Sequence, residues 1–144
     1  MSKSTVGTYK KNTVWPSFAR MIKARDADSE GWVICCTCPK VMWWDSPECQ
    51  AGHFVAGRGN TVLFDDRLVH GQCNFCNMRG GEQFKYGLFL KKKFGYDDTT
   101  LLELQYLKHE IKKYTMPELK DMKKTFDEEF HRLVEEKGLI RGNQ

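Results

Sequence analysis

The stretches CCTC at residues 35–38 and CNFC at residues 73–76 decide the fold. Each contains a Cys-x-x-Cys pair, and two residues between paired cysteines allow both sulfurs to face one ion. Four thiolates fill the tetrahedral shell of Zn²⁺, so a zinc ion bound here would be structural and would leave no open position for a substrate. The two pairs therefore predict one structural zinc per chain, with Cys35, Cys38, Cys73 and Cys76 as its ligands.

Two further cysteines, Cys36 and Cys49, are left over. Redox-active dithiols, unliganded core thiols and disulfides are the alternatives to a zinc site. The first 25 residues contain no apolar segment of the kind found in secretory signals, and thiols stay reduced in the cytoplasm. We therefore expect a cytoplasmic protein whose paired thiolates bind a metal.

The composition is that of one folded domain. Hydrophobic residues make up 40% of the 144 residues, which is enough for a core and too much for a disordered chain. No stretch approaches the roughly 20 apolar residues that a membrane span needs. A membrane protein is therefore not expected.

Positive charge is concentrated in two runs. The first 25 residues carry six Lys or Arg and no acid, although the net charge of the chain is only +4. The second run follows the last cysteine and consists of Arg79, Lys85, Lys91, Lys92 and Lys93. Because Lys and Arg neutralise phosphates, two such runs beside a metal-site pattern favour DNA as the partner. A solvated surface is the alternative interpretation.

Helical and strand patterns alternate around the cysteine pairs, which predicts an α+β fold. A helix is predicted over residues 15–25, after a loose basic arm. Two strands of a hairpin are predicted over residues 52–56 and 63–69, with the turn at residues 57–60. A helix that ends near Gly95 and another over residues 98–114 should follow.

The last helix begins at a capping box, in which Thr115 and Glu118 satisfy each other's free backbone donors. Apolar residues then recur at helical spacing, at Leu119, Met122, Phe126, Phe130 and Leu133. This stripe favours burial in the core. A seam with a partner helix, such as a dimer interface, is the alternative.

Candidate catalytic residues lie between and beside the cysteine pairs. The stretch QAGHF at residues 50–54 contains His53, and Asn77 directly follows the last cysteine. A hydrolytic nuclease needs a general base for water and a hard cation at the phosphate. A histidine on a strand that faces an amide on a zinc-clamped helix would serve both needs. A packed histidine and an Asn77 that only caps a helix are the alternatives.

The stretch QAGHF at residues 50–54, followed by VHGQCNFCN at residues 69–77, resembles the NinG family of phage recombination proteins, also called Rap. Members of that family resolve Holliday junctions and nick displacement loops. The second cysteine pair, followed by GEQ at residues 81–83, is also similar to the phage junction-resolving endonuclease VII. The resemblance covers roughly residues 18–95.

The resemblance implies a fold and an activity. The fold would be a zinc-stapled ββα-metal core, of the HNH or His-Me finger type, with an N-terminal helix and C-terminal helices. Residues 1–14 would be a basic arm, residues 15–97 the zinc-bound HNH nuclease domain, and residues 98–144 a helical region for dimerisation or DNA contact. The activity would be that of an endodeoxyribonuclease that cuts branched DNA with Mg²⁺ or Mn²⁺ in a bacterial host cell.

The same resemblance implies roles for single residues. His53 would be the general base, and Asn77 would bind the catalytic Mg²⁺ or Mn²⁺. Arg58 would hold the scissile phosphate, which its two-pronged guanidinium suits better than a lysine would. His70 stands where the family keeps a histidine and would assist the site or donate to a phosphate. Arg58 and the second basic run would form the DNA-binding surface.

This sequence also departs from the pattern. Gly52 precedes the base where many HNH enzymes have an acid, Gln50 replaces an acid that is frequent in the family, and Leu68 replaces the middle asparagine. A second metal ligand would have to come from Asp65, Asp66 or Glu82. If none of them reaches the ion, binding of the metal will be weak.

Three other functions compete with the branched-DNA endonuclease. A non-catalytic zinc module could bind DNA or a recombination protein, and a sequence-specific HNH enzyme could cut linear duplex at one site. A disulfide-linked structural protein is the third. The symmetric strands of a four-way junction call for two active sites, so the endonuclease is also expected to be a homodimer.

Overall fold

The computed structural model describes residues 5–56 and 59–141, which form an α+β fold of helices around two small sheets. The helices are α1 (Val6–Tyr9), α2 (Trp15–Asp26), α3 (Asn60–Leu63), α4 (Asn74–Met78), α5 (Gln83–Phe94), α6 (Asp98–Tyr106) and α7 (Met116–Lys137). The strands are β1 (Trp32–Ile34), β2 (Val41–Trp43), β3 (Cys49–His53) and β4 (Val69–Cys73). Within the described ranges, no helix combines the length and the apolar composition that a membrane crossing requires.

The N-terminal helix is longer than predicted. Helix α2 confirms the helix predicted over residues 15–25, but a π-helical segment, Lys10–Val14, joins it to α1 without a break. The prediction of a loose arm is therefore wrong from Val6 onward, and residues 1–4 lie outside the described part. The π turn is explained by Pro16, which has no N–H for a carbonyl in the preceding turn. The predicted division of the chain into three regions stays a prediction.

Strands β3 and β4 form the antiparallel pair that carries the candidate site. Gly52 lies opposite His70, and His53 lies opposite Val69. An antiparallel pair was predicted, but its bounds were wrong. Pairing extends to Cys49 and Cys73, and the predicted second strand is replaced at its start by α3. All five residues of β4 are buried, so the strand lacks the alternation of apolar and polar residues on which the predicted bounds rested.

Helix α7 packs against α2 and completes the main core. The core includes Phe18 and Ile22 of α2, Trp44 after β2, and Phe130 and Leu133 of α7. The prediction that the apolar stripe of α7 lies in the core is thereby confirmed. Because the stripe is covered within the chain, it is not available as a dimer seam.

The helices between the site and α7 agree in part with the sequence pattern. Helix α5 ends at Gly95 as predicted, in the left-handed conformation that favours glycine. The helix predicted over residues 98–114 ends earlier, because α6 gives way to a 3₁₀ turn at Leu107–His109. Asn60 then donates to the Lys112 carbonyl at 2.8 Å, so a tertiary contact replaces further helix. The predicted capping box of α7 is confirmed by both of its hydrogen bonds.

Candidate metal centre and adjoining cavity

The four paired cysteines converge on one point. The sulfurs of Cys35, Cys38, Cys73 and Cys76 all lie within 4.8 Å of one another. Cys35 and Cys38 follow β1, whereas Cys73 ends β4 and Cys76 lies in α4. A metal ion at this point would therefore connect the first cysteine pair, which we call the first knuckle, to β4 and α4, which carry the second pair. The four cysteines could hold a structural metal such as zinc.

Backbone amides support negative charge on these sulfurs. The N–H groups of Cys73 and Thr37 donate to Cys35 Sγ at 3.2 and 3.4 Å, and the N–H of Cys76 donates to Cys73 Sγ at 3.4 Å. Burial raises the pKa of Cys35, but the hydrogen bonds outweigh it and lower the pKa to about 7. Burial raises the pKa of Cys38 to about 12. A bound metal deprotonates such thiols, so the residues present fit Zn²⁺.

Cys36 and Cys49 lie outside the cluster. Burial raises the pKa of both thiols, that of Cys49 to about 12. Both side chains are therefore protonated at neutral pH and act as small apolar residues of the core. The predicted choice of Cys35 rather than Cys36 as a member of the cluster is confirmed.

A cavity of about 370 Å³ lies beside the cluster, between α2, β3 and α4. It brings His53 and Asn77 together, as the sequence predicted. Nine of the residues that the structure describes line it, namely Trp15, Ala19, Lys23, Pro47, Cys49, Gln50, Ala51, His53 and Asn77. We call this space the His53 cavity.

The imidazole of His53 is held on two sides. Its Nε2 lies 3.1 Å from the carbonyl oxygen of Leu63. Because a carbonyl can only accept, Nε2 carries the proton in the neutral ring and the lone pair is on Nδ1. The indole of Trp15 stacks on the ring, with 5.1 Å between centroids and 21° between planes. The arrangement fixes both the tautomer and the orientation of a potential base.

Asn77 faces Gln50 across the cavity. Its Nδ2 donates to Gln50 Oε1 at 2.8 Å, so the two amides link α4 to β3. Asn77 lies inside α4, and Glu82 is the N-cap residue of α5. The alternative that Asn77 only caps the following helix is therefore wrong.

The other predicted site residues that the structure describes do not line this cavity. Arg58 lies outside the described residues. Asp65 binds Arg67 at 2.6 Å and lies with Asp66 in a separate cavity, and Glu82 lies at the start of α5. His70 is buried and contacts Tyr86. Because it pairs with Gly52 rather than His53, it projects from the opposite face of the strand pair.

The position before His53 cannot hold an acid without rearrangement. A Cβ atom at Gly52 would lie 2.0 Å from Gln72 Oε1. Gln72 is fully buried and donates to Thr37 Oγ1 at 3.0 Å and to the Gly81 carbonyl at 2.9 Å. Gln72 therefore ties β4 to the first knuckle and to the loop before α5, in space that a carboxylate at position 52 would need.

The cavity fits a protein-held Mg²⁺ or Mn²⁺ poorly. None of its nine lining residues is acidic, and one of them, Lys23, is a cation. Hard divalent cations prefer carboxylates, whereas His53, Gln50 and Asn77 offer neutral atoms. The predicted catalytic cation therefore lacks an anionic ligand among the residues that line the cavity.

Sequence reasoning missed Lys23 and Trp15. Trp15, Ala19 and Lys23 recur every four residues and thus lie on one face of α2. This spacing could have shown that the three residues share a surface. It could not have shown that the surface faces His53, because that depends on the packing of α2 against β3.

The five predicted DNA-binding cations of the second basic run, which the structure describes, are all exposed. Lys85 and Lys91–Lys93 lie on α5, and Arg79 follows α4. Lys91 also pairs with Asp98 at 2.7 Å. Whether these residues contact DNA stays a prediction.

We expect His70 to remain neutral at pH values at which an ordinary histidine takes up a proton. Burial lowers its pKa to about 4, from about 6.5 in an unfolded chain. The unfolded state thus binds the extra proton first, and the free energy of unfolding falls by about 3 kcal/mol as the pH drops from 6.5 to 4. NMR titration of the His70 ring between pH 8 and 5 should show no transition. A midpoint near pH 6.5 would contradict its burial.

Comparison with known proteins gives a family. The model of the family described as "Bacteriophage Lambda NinG protein" matches residues 6–136, a range that contains the four clustered cysteines and the whole lining of the His53 cavity. Neither the curated proteins nor the solved structures contain a match to the chain.

Proposed function

The chain belongs to the NinG family of phage recombination-related proteins, and from this premise we propose that it is a metal-dependent endonuclease that cuts branched DNA. One observation carries the proposal. His53 of β3 and Asn77 of α4 line the same cavity, and the cysteine cluster has members in α4 and in β4, the strand that pairs with β3. The order β3, β4, α4 beside the cluster is consistent with a ββα nuclease motif of the HNH type.

His53 would act as the general base. Its Nδ1 lone pair would take a proton from a water molecule as the water attacks the phosphorus atom of the scissile phosphodiester. The bond from phosphorus to one ester oxygen would break, and that oxygen would leave as a hydroxyl group with a proton from solvent. The Leu63 carbonyl would stabilise the imidazolium, since it accepts from the opposite ring nitrogen. Trp15 would keep the ring in place during the proton transfer. Lys23 would offset the charge of the phosphate from the α2 side of the cavity.

Branched DNA is the proposed substrate for two reasons. The family is related to recombination, whose intermediates are Holliday junctions and displacement loops. The exposed cations on α5 would also supply contacts to phosphates that do not depend on base sequence. A homodimer would place two His53 cavities on one junction, through a surface other than the apolar stripe of α7.

A non-catalytic DNA-binding module is the second candidate function. The lack of a carboxylate among the residues that line the His53 cavity favours it, because a nuclease needs a cation at the phosphate. Such a module would bind a junction and leave it intact.

One gel assay separates these possibilities. Four-way junction, displacement-loop and linear duplex DNA are incubated with the protein, with and without Mg²⁺ or Mn²⁺. The proposal expects incision of branched DNA only in the presence of a cation. Cleavage of the linear duplex at one site would instead indicate a sequence-specific enzyme. Binding of branched DNA with no incision in either cation would favour the non-catalytic module.

A further inference from the structure

The charged side chain that lines the His53 cavity is positive, whereas a site that binds a free cation has negative ligands. Lys23 contributes a positive charge, and Cys49 contributes a neutral thiol whose pKa burial raises to about 12. The polar atoms that remain belong to His53, Gln50 and Asn77, none of which is an anion. Among the described residues, the cavity is therefore lined by one positive and no negative side chain, a balance that favours an anion over Mg²⁺.

The amides of the cavity are also engaged with each other. Gln50 Oε1 accepts from Asn77 Nδ2 at 2.8 Å, which uses one of the two lone pairs of that oxygen. A divalent cation gives up bound water reluctantly and usually does so for carboxylates or phosphates. Two neutral amides beside a lysine are too weak to replace that water.

We infer that the His53 cavity is a phosphate site in the free protein, to which Lys23 contributes a positive charge, and that a divalent cation enters only together with the DNA phosphate. The phosphate oxygens would supply the negative charge that the cavity lacks. The inference rests on one part of the proposed function, namely that this cavity receives a DNA phosphate. It makes binding of DNA and of metal mutually dependent, because each ligand strengthens the other equally.

Metal binding tests the dependence directly. His53→Ala protein, which should not cut its substrate, is titrated with Mn²⁺ and followed by electron paramagnetic resonance, alone and with a four-way junction. The junction alone provides the baseline. We expect no bound Mn²⁺ in the free protein and about one additional Mn²⁺ per occupied cavity in the complex. One Mn²⁺ per chain without DNA would overturn the inference.

A gain of function gives a second test. Gln50→Glu places a carboxylate beside Asn77, and Gln105→Glu adds the same charge on α6, away from the cavity. We expect Gln50→Glu alone to bind Mn²⁺ in the absence of DNA, at least about tenfold more tightly than wild type, because a carboxylate is the preferred ligand. If the two variants bind Mn²⁺ equally weakly, a missing carboxylate is not what limits metal binding, and the inference fails.

The role of Lys23 is tested without metal. Lys23→Met keeps most of the aliphatic stem, and Lys120→Met is a matched control on the exposed side of α7. Junction affinity is measured in EDTA at several salt concentrations. Loss of one phosphate contact should reduce the slope of log affinity against log salt by about 1 in Lys23→Met, and leave it unchanged in the control. An equal slope in both variants would remove Lys23 from the phosphate site.

These measurements are independent of cleavage. If the coupling is found and wild type cuts no DNA, the endonuclease proposal fails and the inference stands. If wild type cuts branched DNA and the free protein already binds Mn²⁺ tightly, the endonuclease proposal stands and the inference fails.

Discussion

Replacement of Cys73 by serine is expected to remove the metal and unfold most of the chain. Cys73 lies where β4 passes into α4 and belongs to the four-sulfur cluster, so loss of its sulfur removes a metal ligand at the junction of both elements. The serine hydroxyl can still cap α4. A structural zinc contributes on the order of 10 kcal/mol to the folding of small zinc domains, which is similar to the whole stability of a typical domain. Circular dichroism should show loss of helix, and elemental analysis should find zinc in wild type only.

The two cysteines outside the cluster provide the controls. Cys36→Ala and Cys49→Ala remove buried thiols that do not belong to the cluster, so both variants should keep about one zinc per chain. Their stability should fall only by the modest amount expected for a small cavity. A folded Cys73→Ser protein with wild-type thermal stability would show that the cluster does not hold a structural metal.

Replacement of His53 by alanine is expected to abolish incision of branched DNA and to preserve its binding. A positioned general base contributes about 10²- to 10⁴-fold to a hydrolytic rate, so incision should fall at least that far. Binding should change little, because Lys23 and the cations of α5 remain. Single-turnover cleavage and gel shift of the same four-way junction measure the two quantities separately.

His109→Ala is the matched control, since His109 is exposed and lies outside the His53 cavity. It should cut like wild type. If His53→Ala also cuts like wild type, the imidazole is not the base and the endonuclease proposal loses its central residue. If binding is lost in His53→Ala, the histidine contributes to holding DNA rather than to activating water.

The sequence predicts best where a local rule determines the structure. Two residues between cysteines set the geometry of each knuckle, and the four sulfurs do converge. The capping box at Thr115 and the glycine at position 95 mark helix ends through contacts within a few residues, and both ends are confirmed. The apolar spacing of α7 likewise predicts which of its faces is buried.

The sequence predicts poorly where distant segments compete. The strand predicted over residues 63–69 begins inside α3 and continues through turns before β4 starts at Val69. Helix α3 is held by Thr61, which donates to the Leu107 carbonyl at 2.5 Å. The helix predicted to residue 114 ends at Tyr106, and further along Tyr114 donates to the carbonyl of Asn60 at 2.9 Å. Both contacts join parts of the chain that no local pattern relates.

The candidate site divides in the same way. His53 and Asn77 could be predicted from the sequence because each lies within or next to a recognisable motif. Lys23 and Trp15 could not, because they reach the site from a helix that comes before the first cysteine pair. The three acids predicted as metal ligands do not line the cavity. The departures at Gly52 and Gln50 indicate that a ligand is missing, but they do not indicate where a substitute lies.

The π turn before Trp15 determines which side of the helix carries Lys10. The N–H of Trp15 donates to the carbonyl of Lys10, five residues back, so this turn holds one residue more than a regular helix. One extra residue corresponds to a rotation of about 100° around the helix axis. In this arrangement Lys10 Nζ donates to Asn60 Oδ1 of α3 at 2.6 Å. A turn shorter by one residue would rotate Lys10 away from Asn60 by about 100° around the helix axis and leave Trp15 in place. The π turn therefore lets Lys10 face α3 while Trp15, at the other end of the turn, faces His53.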